Sequence, residues 1–308
     1  MAPAPESDRG ENVERRPPAS LSDQVIRYRG YRTPGARPPR VNLPSARVTL
    51  VLGWGEPLYV HDGNAAEPTA DGRRSMLAGL RTTPLVAGYQ GAGHAIEVEF
   101  TPMGAYRCLG LPLHHLTDAV AHPDHAMGPG WTTRTTERLA AAQDWTSRWA
   151  VVDDALAERV ADRPPVSPLM TEAWNELWSS HGGMSVRELC RTTGRGSRRI
   201  QTLFRENIGI PPQTLSRIIR FQYALKLPSS RYRSLAELAA MSGYHDQAHM
   251  NRDFRNLSGH TPRQLRDLIG LRTSGTATGP DGCLSDFFGT TSLADLKAPS
   301  TGSRPADA

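Results

Sequence analysis

Apolar positions recur with helical spacing over residues 185–206 and again over 234–255, and the two stretches are copies of one pattern. The first opens Ser185-Val-Arg-Glu-Leu-Cys-Arg-Thr-Thr-Gly194, and the second, 49 residues on, opens Ser234-Leu-Ala-Glu-Leu-Ala-Ala-Met-Ser-Gly243. Ser with Glu three residues later predicts a capping box and hence a helix start at each copy. Gly194 and Gly243 predict the positive-φ residue that ends a short helix and turns the chain. A second amphipathic run follows each glycine, from Ser197 to Glu206 and from Asp246 to Arg255, with Ser197 and Asp246 as expected N-caps. Ile200, Leu203 and Phe204 share one face of the first run, and Met250 and Phe254 one face of the second, so these side chains should pack on the preceding helix.

The first half of the chain has a different rhythm. Short β-like runs occupy 47–53, 58–60, 83–87 and 95–100, separated by Gly, Pro and Asp. Ile96, Val98 and Phe100 alternate with polar residues as in a half-buried strand. A mostly β domain, a small barrel or sandwich, is expected. After Pro112 the pattern turns helical, with Leu113, Leu116 and Val120 predicting a short helix. Trp131 to about Arg159 predicts one or two longer helices, with Trp145, Trp149, Val152 and Leu156 at helical spacing. Residues 1–20 and 272–308 are rich in Pro, Gly, Ser, Thr and Ala and read as disordered tails, the second containing Leu284, Phe287 and Phe288. The expected fold class is α+β in two domains: a mostly β domain followed by helices over 21–165, then an all-α domain with two helix-turn-helix units over 168–271.

The polar faces of the duplicated helices carry the candidate chemistry. Arg198, Gln201, Thr202 and Arg205 lie opposite the apolar stripe of the first, and Gln247, Ala248, His249, Asn251 and Arg252 opposite that of the second. Arg pairs in bidentate fashion with guanine, and Gln or Asn with adenine, so these residue types suit base edges in a major groove. Any surface helix carries some of them; their recurrence in a duplicated unit is what points to DNA.

The pattern resembles the DNA-binding domain of the AraC/XylS family of bacterial transcriptional regulators over roughly Met170 to Leu271. Beyond the repeats, the resemblance rests on Asn207-Ile-Gly-Ile-Pro-Pro212, on an amphipathic run from Gln213 to Leu227 with Leu215, Ile218, Ile219, Ala224 and Leu225 as its buried stripe, and on the closing segment Arg255-Asn-Leu-Ser-Gly-His-Thr-Pro-Arg263. It implies that the 213–227 run is a linker helix holding both units on one face of double-stranded DNA, to read successive major grooves about 34 Å apart. Carried over by position, it makes Arg198, Gln201, Thr202, Gln247, His249, Asn251 and Arg252 the base-reading residues. Arg199, Arg205 and Arg255 become phosphate contacts, which position a protein without reading sequence. It further implies a sensor or dimerisation domain ahead of the DNA-binding part. RNA polymerase, a small-molecule effector and a second copy of the chain are then the partners to consider beside DNA.

Charge agrees with this division. Residues 168–271 hold fifteen Lys and Arg against eight Asp and Glu, a net +7, while the whole chain is +5. Basicity is therefore concentrated where the repeats lie, as a polyanion-binding surface requires. No apolar run approaches the roughly 18 residues of a membrane span, and the N-terminus lacks the apolar core of a secretory signal. A bacterial cytoplasmic, nucleoid-associated protein without a membrane partner is expected.

Three widely spaced cysteines, Cys108, Cys190 and Cys283, do not make a disulfide framework. Cys190 reads as a small hydrophobe, and Cys283 as the most exposed thiol. Five histidines, His94, His114, His115, His122 and His125, cluster within 32 residues. They lack a completing cysteine, and His114 and His115 are expected to point in different directions, so neither metal nor cofactor is expected. No nucleophile elbow, P-loop or dinucleotide fingerprint is present, and the protein is read as non-enzymatic. The alternative is a DNA-associated enzyme or alkyl-acceptor repair protein using Cys108, in Tyr106-Arg-Cys-Leu-Gly110.

Overall fold

The computed structural model of the chain describes residues 10–36, 40–63, 72–89 and 91–270. The expected tail at 272–308, with Cys283, Leu284, Phe287 and Phe288, lies outside the described residues. Strand β1 (Glu11–Arg15) pairs antiparallel with β2 (Val25–Thr33), placing Glu14 opposite Arg29 and Arg15 opposite Tyr28. Residues 11–15 are thus an edge strand, which corrects the expectation of a disordered tail over the whole of 1–20. Ion pairs hold it where apolar burial does not: Glu14 with Arg29 at 2.9 Å, and Arg15 with Asp153 at 2.7 Å.

After β3 (Arg40–Asn42) come β4 (Val48–Gly53), β5 (Leu58–Asp62), β6 (Gly72–Arg73), β7 (Met76–Ala78), β8 (Leu85–Tyr89) and β9 (Gly93–Phe100). With β10 (Val120–Ala121) they form two sheets, of order β1-β2-β9-β4-β7-β10 and β3-β8-β5-β6. The expected β runs at 47–53, 58–60 and 95–100 correspond to β4, β5 and β9, and that at 83–87 to β8 shifted by two residues. Val120 pairs with Ala78 in β10 rather than continuing a helix; only Leu113–Leu116 form a short 3-10 turn.

The larger sheet is covered on both faces. Ile96, Val98 and Phe100 join Tyr28, Leu50 and Leu52 against the helices, whereas Ala95, Tyr31, Val51 and Met76 meet Leu58, Val60 and Leu85 of the second sheet. The covering helices are α1 (Pro102–Leu109), α2 (Asp124–Met127), α3 (Trp131–Ala141) and α4 (Trp145–Ala161). Asp144 caps α4 by accepting from the Ser147 N–H at 2.7 Å. Trp145 stacks on Trp149, and Trp149 on Tyr28 of β2. Gly30 admits this ladder, since a Cβ there would enter the Trp145 ring.

The remaining helices are α5 (Pro168–Ser179), α6 (Val186–Thr193), α7 (Ser197–Asn207), α8 (Pro212–Lys226), α9 (Leu235–Met241), α10 (Gln247–Ser258) and α11 (Pro262–Gly270). They share one core, which also takes in Val41, Leu43, Ala46, Leu80 and Val86 of the β domain. Val41 and Val86 are register partners on the smaller sheet, so that sheet contributes to both cores. Among the described residues two hydrogen bonds join the halves: the Thr117 hydroxyl donates to the Gly209 carbonyl at 2.7 Å, and the Gln222 amide to the Pro44 carbonyl at 2.6 Å.

Candidate nucleic-acid interface

Local chemistry sets each short helix. Before α6 the Ser185 hydroxyl accepts from the Glu188 N–H at 3.2 Å while the Glu188 carboxylate accepts from the Ser185 N–H at 2.8 Å, a complete capping box. These bonds hold the Glu188 carboxyl below its usual range. Before α9 the box is half made. Ser234 accepts from the Glu237 N–H, but the Glu237 carboxylate takes the Arg233 N–H at 2.7 Å instead of that of Ser234. The expected second box is corrected accordingly, and one orphan donor is still satisfied on each side. Gly194 and Gly243 have φ of 63° and 72°, as the turns require.

The second helices begin differently from each other. Asp246 caps α10, accepting from the His249 N–H at 2.6 Å, which holds its carboxyl below the usual range. The expected cap Ser197 is instead the first residue of α7, with Gly196 at the N-cap, and its hydroxyl accepts from Gln201 at 3.2 Å. After α10, Thr261 and Gln264 cap α11 reciprocally; this is the structural role of the closing Gly-His-Thr-Pro segment.

Packing then fixes which faces remain outside. Ile200, Leu203, Phe204, Met250 and Phe254 are buried, together with Leu215, Ile218, Ile219, Ala224 and Leu225 of α8. Phe221 of α8 meets Phe254 edge to face at 4.8 Å, so the linker helix and the second recognition helix share an aromatic contact. Arg198, Arg199, Gln201, Thr202 and Arg205 of α7 are exposed, as are Gln247, Ala248, Arg252 and Arg255 of α10. His249 and Asn251 are half-buried. The His249 ring is directed to Tyr244, which it meets edge-on at 5.3 Å, and to Asp253.

The arginines divide by environment. In the β domain Arg27 and Arg29 are buried against Glu99, Arg47 also pairs with Glu99, and Arg81 pairs with Asp62. On α7 and α10, Arg198, Arg199, Arg205, Arg252 and Arg255 make no ion pair among the described residues. Their charges face solvent, the condition under which a guanidinium can neutralise a phosphate and release its counterion.

Sequence reasoning missed the partnership of Asp253 with Arg217, whose Nε donates to Asp253 Oδ1 at 2.8 Å. The repeat held the signal: Phe204 matches Phe254, so Asp253 stands where the first copy has the buried Leu203. The expected divergence of His114 and His115 is also corrected. Their rings lie 4.2 Å apart on the tight 3-10 turn.

Cys108 lies fully buried on α1, and burial pushes its thiol up to about 12 against the opposing pull of Arg107 and Arg159. An acceptor thiol needs access and thiolate character, and Cys108 has neither. In a Cys283→Ser background, native protein at pH 8 should incorporate one equivalent of iodoacetamide, at half-buried Cys190; mass spectrometry finding label at Cys108 first would contradict the burial.

Residues 189–267 match a family model described as a helix-turn-helix domain. No curated protein sequence matches the chain. Among solved structures, ToxT from Vibrio cholerae is similar at 11% identity and a TM-score of 0.40, covering 77% of this chain and 96% of its own. The AraC-like transcriptional activator CuxR is similar at 17% identity and a TM-score of 0.30, covering 63% and 73%.

Proposed function

We propose, from the helix-turn-helix family match over residues 189–267 and from the resemblance of the duplicated units to the AraC/XylS family, that the chain is a transcriptional regulator that binds DNA sequence-specifically through both repeats. The observation that carries this reading is the pair of helices α7 and α10, packed on the linker helix α8, each with an exposed Gln beside exposed arginines that make no ion pair among the described residues. In this reading Arg198, Gln201, Thr202, Gln247, Asn251 and Arg252 read bases. Arg199, Arg205 and Arg255 hold phosphates. The β-rich half, extended to begin near residue 11, is the sensor or dimerisation domain, and its direct seat on α7 and α8 gives a route from an effector to the DNA-binding half. In this reading the protein works in the cytoplasm, where its DNA lies; no described helix is long and apolar enough to cross a membrane.

The test is selection of duplexes from a random pool by the full chain, followed by hydroxyl-radical footprinting of the winners. Two protected windows about one helical turn apart are expected; a single window, or no sequence enrichment, would refute the reading. Arg205→Ala and Arg255→Ala should each weaken selected and random DNA alike and lower the slope of log K against log salt by about 1. Gln201→Ala should instead relax preference at one base pair, costing about 1–3 kcal/mol of discrimination there. Binding isotherms at several salt concentrations separate the two classes.

A further inference from the structure

Leu203 seats the first recognition helix by apolar contact, which has no preferred direction. Its counterpart on the second helix, Asp253, is equally deep, with its side chain 5% exposed. A carboxylate in that setting must be held by partners. Arg217 of α8 supplies one, donating from Nε to Oδ1 at 2.8 Å. The other oxygen, Oδ2, is buried without a hydrogen bond and lies 3.7 Å from Nε2 of His249, one turn back on the same helix.

The surroundings close around this group. Tyr244, in the turn before α10, packs edge-on against His249, and the guanidinium of Arg220 lies over the Tyr244 ring at 5.4 Å. Arg220 is itself tied to the Gly182 carbonyl at 2.9 Å. Two cations of α8 therefore reach the second unit, one onto its turn and one onto its recognition helix. The repeat also equates His249 with Arg199, a phosphate position in the first unit, and not with the base-reading Gln201, which matches Asn251.

We propose that Arg217, Asp253 and His249 form a clamp that sets the rotation of α10 on the linker helix, with His249 a positioning residue and not a base reader. The proposal rests on the DNA-reading function above. Its physical content is angular: a helix surface lies about 5–6 Å from its axis, so a turn of roughly 20° would carry Asn251 and Arg252 about 2 Å sideways, enough to break a hydrogen bond to a base. A charge-assisted bond is short and directional, and it resists that rotation where a leucine would not.

The test uses the full chain and the duplex that wild-type protein selects from random DNA. Asp253→Leu, which installs the first copy's residue and so preserves packing, is expected to lose protection of the second window and to weaken binding tenfold or more, with the first window intact. Arg217→Gln should do the same, and the double variant should be no worse than either single one. His249→Ala should weaken every sequence variant of the second window by the same factor, and His249→Gln, which keeps a donor, should recover part of the loss. Wild-type affinity and footprint in Asp253→Leu would overturn the clamp. So would a His249→Ala protein whose only change is altered preference at one base pair. If wild-type protein enriches no sequence at all, the DNA-reading function fails first, and visibly separately.

Discussion

Glu99→Ala is expected to destabilise the β domain by about 3–5 kcal/mol, the usual cost of removing one member of a buried charge cluster. Glu99 is 3% exposed and takes Arg27 at 2.8 Å, Arg29 at 3.3 Å and Arg47 as well. Arg27 and Arg29 are 6% and 7% exposed, so neither can rehydrate when the carboxylate is lost. Against a typical domain stability of about 5–15 kcal/mol, that loss brings much of the population toward unfolding. Glu99→Gln, which keeps volume and acceptor oxygen, should cost less. Replacing all three of Arg27, Arg29 and Glu99 by Met, Met and Leu should also cost less than the alanine substitution, because the two deepest guanidinium groups leave with the carboxylate and the groups that lose a partner, Arg47, Glu14 and Glu97, are more exposed. Urea unfolding followed by tryptophan fluorescence ranks the variants, with Trp145 and Trp149, which stack above β2, kept and the four other tryptophans changed to Phe. Equal midpoints for Glu99→Ala and wild type would mean that the network holds nothing.

The same residues explain what could and could not be read from the chain. Ile96, Val98 and Phe100 announced β9, and the alternation rule then put Glu97 and Glu99 on a wet face. That face is instead the one turned to Arg27, Arg29 and Tyr31 of β2, where Glu97 accepts from the Tyr31 hydroxyl at 2.6 Å. For the same reason the sequence conceals β2, although it is the long neighbour of β9, since arginines at alternate positions look like a solvated edge. Glu14 of β1 belongs to the same network, so the strand character of 11–15 is hidden with it. Each charge has its partner in another strand, 72 residues away for Arg27 and Glu99, and single-strand periodicity carries no record of that pairing.

The helical domain was legible because its signals are local. A Ser-x-x-Glu start, a glycine at positive φ and a 3.6-residue apolar stripe are each decided within a few residues, and duplication repeated the evidence. Legibility ended where the copies diverge. Asp253 in place of Leu203 answers to Arg217, and Glu237 to Arg233, both outside the repeat, while Gly196 takes the N-cap because Ser197 already stands inside α7, bonded to Gln201.

Divergence between the copies also supplies a controlled experiment on coupling between the two halves. Gly209 and Gly259 are equivalent positions, both at positive φ, 102° and 76°. A Cβ at Gly259 would meet nothing within 4 Å, whereas at Gly209 it would lie 2.8 Å from the Thr117 hydroxyl and 3.0 Å from the Leu113 carbonyl. Gly259→Ala should therefore cost only its backbone strain, roughly 1–2 kcal/mol. Gly209→Ala should add about 1–3 kcal/mol of overpacking and break the hydrogen bond from Thr117 into the first unit. Because the 3-10 turn at Leu113–Leu116 is also fixed to the β domain, through Gly79, whose Cβ would strike the Leu116 backbone, it cannot retreat. The expected result is separation of the halves: two calorimetric transitions in place of one, and new protease cleavage in the 162–167 connection, in Gly209→Ala but not in Gly259→Ala. If the two variants melt alike, the contact at Gly209 does not join the domains. If they differ as expected, the state of the β domain is felt at the end of α7 and the start of α8, so that an effector would act on the first reading unit directly and on the second only through the linker helix and its hold on Asp253.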